Sequence, residues 1–117
     1  MDILTNYRNT VQETIKKYYN LTNYQIANTA NTTISERLIL VSERDQYLWL
    51  RCGWDGKKRV QHIILYLQIQ NGKIWVEEDS TDLTVVDDLL AAGIPKTDII
   101  LGFHHPSKRA LTEFAIT

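Results

Sequence analysis

A chain of 117 residues, 44% hydrophobic and 23% charged, can close one core without disulfides or metals. Its net charge of −1 excludes a whole-domain attraction to nucleic acid or an anionic membrane, and the single Cys52 excludes an internal disulfide. No apolar run approaches the roughly 18 residues of a membrane span, and Met1 to Arg8 lacks a signal-peptide layout, so one cytoplasmic domain over residues 1–117 is expected.

Ile3, Leu4, Tyr7, Val11, Ile15, Tyr18 and Tyr19 recur at spacings of three and four, which predicts a helix from Asp2, its N-cap, to about Tyr19. Asn20 to Thr33, dominated by Asn and Thr, loses that period and reads as a long loop. A strand meander follows. Arg37–Glu43 is the first strand, and Glu43–Gln46 is the turn. Tyr47–Trp54 alternates, placing Leu48, Leu50, Cys52 and Trp54 on one face. Asp55-Gly56 and Asn71-Gly72 are strong two-residue hairpin signals, bounding strands at Val60–Gln70 and Lys73–Glu78.

The Asn71-Gly72 turn sets a register in which Ile69 faces Ile74, Leu67 faces Val76, Gln68 faces Trp75 and Tyr66 faces Glu77. One face then carries Ile63, Leu65, Leu67, Ile69, Ile74 and Val76, joined by Leu48 and Leu50, as the core. The other carries Trp49, His62, Ile64, Tyr66, Gln68, Trp75 and Glu77, a mixed aromatic and polar set. Large aromatics ringed by polar groups mark partner surfaces, so Trp49, Tyr66, Gln68, Trp75 and Glu77 are the candidate partner site, and a homo-oligomer is expected. The competing expectation is that a helix, or the tail with Phe103 and Phe114, folds over this face.

Thr84 with Asp87 resembles a capping box opening a second helix; Gly93, Ile94 and Pro95 read as its Schellman stop. Ile99–Leu101 suits a short buried final strand. The fold class is α+β: an antiparallel β-meander sheet with an N-terminal helix and a second helix before the final strand.

Catalytic chemistry is hard to find. His104 and His105 are adjacent, so on extended chain they point apart and do not converge on one ion; a small enzyme using either is the weakest reading. Cys52 lies mid-strand, where a thiolate is disfavoured, and the glycines belong to turns rather than to a phosphate loop. No catalytic, metal or cofactor residue is assigned. Lys57, Lys58 and Arg59 beside Trp54, with Lys108 and Arg109, are the candidate nucleic-acid contacts, although a solvated hairpin end is the favoured reading of the first three. Between Lys73 and Asp98 acids outnumber bases, which disfavours direct nucleic-acid binding and suits a basic partner.

Three segments carry a family resemblance: Gly53-Trp54-Asp55-Gly56-Lys57-Lys58-Arg59-Val60, then Gly72-Lys73-Ile74-Trp75-Val76, then Gly93-Ile94-Pro95-Lys96 to Asp98 and on through Ile99-Ile100-Leu101-Gly102-Phe103. With Tyr7-Arg8 and the tail from Pro106 to Ala115, they resemble the XisI family, small cyanobacterial controlling factors for excision of the fdxN element. The chain departs from the family pattern around His62, Tyr66 and Thr81-Asp82. The resemblance implies a non-enzymatic accessory protein that acts through protein contacts beside a XisH-like partner, while a separate recombinase does the chemistry. It carries over no catalytic residue.

Overall fold

A computed structural model describes residues 2–23, 32–81 and 84–117. Helix α1 (Ile3–Asn23) begins where expected, with the Asp2 carboxylate accepting from the Thr5 amide at 2.7 Å. It buries Tyr7, Val11, Thr14 and Ile15 along one stripe. The helix runs past Tyr19 into the segment expected to be a loop, and β1 (Thr32–Val41) begins five residues before its expected start. The rest of that loop lies outside the described residues.

Strands β1, β2 (Gln46–Asp55), β3 (Lys58–Gln70) and β4 (Lys73–Asp79) form an antiparallel meander. The fifth strand, β5 (Ile99–Leu101), lies parallel to β4 and is reached through α2 (Thr84–Ala91), because parallel neighbours require a crossover. The class is α+β as expected, with the last strand parallel rather than antiparallel.

Asn71 and Gly72 both take positive φ, 56° and 74°, and join Gln70 to Lys73 in the expected two-residue turn. The other hairpin is displaced by one residue. Asp55 stays in the ladder opposite Lys58, so Gly56 (φ 62°) and Lys57 form the turn. The first turn occupies residues 42–45, one residue early, with Asp45 left-handed at φ 53°. Helix α2 ends in the Schellman pattern: Ile94 donates to Leu89 O, and Gly93 to Leu90 O, with Gly93 at φ 94°. Its start differs from expectation. Thr81, not Thr84, supplies the capping oxygen, accepting from the Val85 amide at 3.2 Å.

Two bulges rearrange the faces. Trp49 pairs with Leu65 and Leu50 with Ile63, leaving Ile64 as an extra residue in β3. Leu67 pairs with Val76 and Tyr66 with Glu78, leaving Glu77 extra in β4, so the expected pairing of Tyr66 with Glu77 is wrong by one. The core face, covered by α1 and α2, holds Tyr47, Trp49, Leu65, Leu67, Ile69, Ile74 and Val76. Trp49 is therefore core, not partner surface: the edge of Tyr19 from α1 packs on its ring, with centroids 6.2 Å apart. Leu48, Leu50 and Ile63 lose their expected core positions to the opposite, open face, because Tyr47 and Trp49 are the β2 residues that pair with core leucines. Cys52 shares their side of β2 and is nonetheless buried.

Candidate functional site

The open face of the sheet is the candidate site, and each strand contributes by alternation. Strand β1 presents Arg37, Ile39 and Val41; β2 presents Gln46, Leu48 and Leu50; β3 presents Ile63, Tyr66 and Gln68; β4 presents Trp75, Glu77 and Glu78. Ile39 and Val41 on the edge strand β1, and Ile63 on the inner strand β3, are 38–41% exposed. They flank a groove of about 620 Å³ lined by Leu48, Leu50, Gln61, His62, Ile63 and Glu78.

A polar ladder bounds this apolar strip. The Tyr66 hydroxyl donates to Gln46 Oε1, Gln46 Nε2 donates to Gln68 Oε1 at 3.1 Å, and Gln68 Nε2 donates to Glu77 Oε1 at 3.2 Å. Burial, then the nearby Glu77 charge, raises the Tyr66 phenol, so it remains a neutral donor. Glu77 also sets a steric limit on its neighbour: a Cβ on Gly102 would lie 2.6 Å from Glu77 Oε1. A side chain there would push the Glu77 carboxylate out of its place in the ladder.

Among the expected partner residues, Tyr66, Gln68, Trp75 and Glu77 lie together on the open face, and Trp49 does not. The Arg109 guanidinium lies 5.4 Å from the Trp75 ring centre, held by bonds from Nε to His104 O and from Nη2 to Gly102 O. Arg109 is thereby engaged in holding helix α3 (Pro106–Arg109) beside Trp75, while Lys108 is exposed. Lys57, Lys58 and Arg59 project at the far end of the β2–β3 hairpin, where Arg59 lies over the Trp54 ring at 5.2 Å. Ten residues of β3 separate Lys58 from Gln68, the partner of Trp75, or roughly 33 Å. The two basic groups therefore do not form one surface.

The histidines have separate tasks. His105 Nδ1 accepts from the Ser107 amide as the N-cap of α3, and the His104 ring tilts against Phe103 at 4.6 Å. Phe114 packs against the helix-covered core, and the Ala115 amide donates to Ile99 O at 2.9 Å. The tail therefore runs along the β5 edge, and its Phe114 does not cover the open face.

Tyr7 and Arg8, part of the family resemblance, act as anchors. The Tyr7 hydroxyl donates to Asp98, and Arg8 grips Asp45 with two bonds of 2.7 and 3.1 Å, tying α1 to the β1–β2 turn. Burial and the Asp98 carboxylate push the Tyr7 phenol up to about 12. Arg8, with a further bond from Tyr47, holds the Asp45 carboxyl below its ordinary value.

Sequence reasoning missed Ile39, Val41, Leu48, Leu50, Ile63 and Glu78 as surface. One signal was present: three consecutive apolar residues, Ile63-Ile64-Leu65, cannot all face one side of a regular strand, so a bulge or a two-sided strand was indicated.

Known proteins match closely. The XisI protein family model matches residues 1–116. The crystal structure of the fdxN element excision controlling factor XisI from Anabaena variabilis is 71% identical, with a TM-score of 0.89 over 99% of this chain and 100% of that one. A XisI-like protein from the same organism is 29% identical, with a TM-score of 0.84 over 97% of this chain and 99% of that one. No curated protein matches. Matched over nearly its whole length in both sequence and fold, the chain belongs to the XisI family.

Proposed function

We propose that this protein is a non-enzymatic controlling factor for excision of a DNA element, and that it works by contacting other proteins. The observation that carries this reading is the 71% identity, over essentially the full chain, to the fdxN element excision controlling factor XisI of Anabaena variabilis. The contact is assigned to the polar flank of the open face, Gln68, Trp75 and Glu77, beside the acidic β4. The partner is a XisH-like protein, by family resemblance. Deleting the gene and scoring excision at the element's borders tests the role. Excision should stop and return on complementation; undiminished excision in the deletion strain rejects it. Co-purification with the XisH-like protein tests the contact, which Trp75→Ala combined with Glu77→Lys should abolish.

A second reading rests on the hairpin tip, where Lys57, Lys58 and Arg59 are all exposed beside Trp54. Under it the tip contacts phosphates directly, and affinity for duplex DNA falls steeply with salt. Absence of binding at low salt removes this reading.

A further inference from the structure

We infer that the apolar half of the open face is a homodimer interface, in which two copies pack sheet on sheet. The inference concerns the purified protein alone and stands apart from the excision reading.

The strip made by Ile39, Val41, Leu48, Leu50 and Ile63 crosses three strands, and α1 and α2 lie on the other face. It is bordered by opposite charges. Arg37 is exposed on β1 at one side, and Glu78 is exposed on β4 at the other, roughly 14 Å across the strands. That separation makes the face complementary to itself. A two-fold axis along the strands, midway between β2 and β3, lays β1 of one copy over β4 of the other, with the sheets roughly 10 Å apart.

Arg37 ranks with Leu50 and Ile63, whereas Glu78 ranks with Leu48 and Tyr66, one step of two residues away. The offset is roughly 7 Å along the strand, within the reach of an arginine side chain. Each dimer would contain the Arg37–Glu78 contact twice. A two-fold axis across the strands would instead stack β1 on β1 and β4 on β4, bringing like charges together. The charge arrangement therefore selects a second copy in one orientation. Gln68 ranks with Gln46 and Val41 at the Asn71-Gly72 end of the strip, close to the axis, so the Gln46–Gln68 pair closes that end of the interface, while Trp75 lies one strand further out.

The test is sedimentation equilibrium on the purified full chain without DNA or partner. Twice the 13.6 kDa chain mass is expected at about 10 μM. Ile63→Glu, at an exposed position that the fold tolerates, should weaken association at least about tenfold. Arg37→Glu and Glu78→Arg should each weaken it, and the two together should restore it, because the swap recreates both contacts. Circular dichroism confirms that each variant is folded, with Ile39→Lys as the substitute if Ile63→Glu is not. A monomeric wild type at about 100 μM overturns the inference, whether the face is then bare or reserved for another protein. So does a dimer as tight in Ile63→Glu as in wild type, or a double charge swap no tighter than the single variants. Loss of excision in the deletion strain with a monomeric protein, or the reverse, separates failure here from failure of the proposed function.

Discussion

The two faces of the one sheet are built from the same strands and nearly the same residue types, yet they do different work. On the covered face, Leu65, Leu67, Ile74 and Val76 are wholly buried beneath α1 and α2. On the open face, Ile39, Val41 and Ile63 keep more than a third of their surface in water. Hydrophobicity alone does not tell these faces apart; parity along the strand does, and each bulge resets parity. The bulge at Ile64 sends Ile63 outward and Leu65 inward within two residues.

The sharpest way to break this comparison is to truncate one residue on each face. Leu67→Ala should lose about 4 kcal/mol in urea unfolding, the cost of a cavity in a closed core. Ile63→Ala should lose less than about 1 kcal/mol in monomer stability, because little of its side chain is enclosed. Equal losses would mean that the open face is covered.

Next in size is the buried polar group of the covered face. Glu36, with its side chain 3% exposed, accepts from Trp49 Nε1 and Arg51 Nε, both at 2.6 Å. Glu36→Ala should cost about 3 kcal/mol, because Arg51 and the Trp49 indole are left unpaired. The open-face counterpart, Gln46→Ala in the Tyr66–Gln68 ladder, should cost about 1 kcal/mol, since water replaces the lost partner. A reversed order would show that the ladder, not Glu36, organises the sheet.

Smaller effects come from acid and base. The Asp45 carboxyl is depressed, chiefly by its bond from Arg8, so its contribution is present above its ordinary value of 3.8 and fades as pH falls through the lowered one. The stability gap between wild type and Asp45→Asn should therefore be full at pH 7 and shrink below about pH 4. A constant gap from pH 7 to pH 2 would show that the charge plays no part. Burial raises Tyr7, Tyr18 and Tyr47 to about 12, so their stabilisation is present below 10 and fades as pH rises toward that value. Phenolate absorbance should show these three ionising only above about pH 11.

Much of the covered face was legible from sequence because its signals are local. The Asp2 cap, the 3.6-residue stripe of α1, the Asn71-Gly72 turn and the Gly93 stop each depend on a few adjacent residues, and each is found. The candidate site was legible only in part, since it depends on register summed over several strands. Counting from Asn71-Gly72, pairing is right through Leu67 and fails at Tyr66, where Glu77 bulges. The alternation puts Leu50 and Ile63 on one face, as the structure does, but reads that face as core because the switch at Ile64 has no turn residue to announce it. Trp49 failed for the same reason, and its bond to Glu36 depends on a β1 register that no turn motif supplied.

The Tyr7–Asp98 bond joins residues 91 apart in sequence, and so orders events in time. As the chain leaves the ribosome, Tyr7 emerges 91 residues ahead of the carboxylate that moors it. The β1–β4 meander can pair meanwhile through its short turns, leaving its helix-side leucines without a moored α1 until Asp98 has emerged. Synthesis that stalls before Asp98 would thus release a sheet with two sticky faces instead of one, and the nascent protein would be most prone to aggregate just before Asp98 emerges.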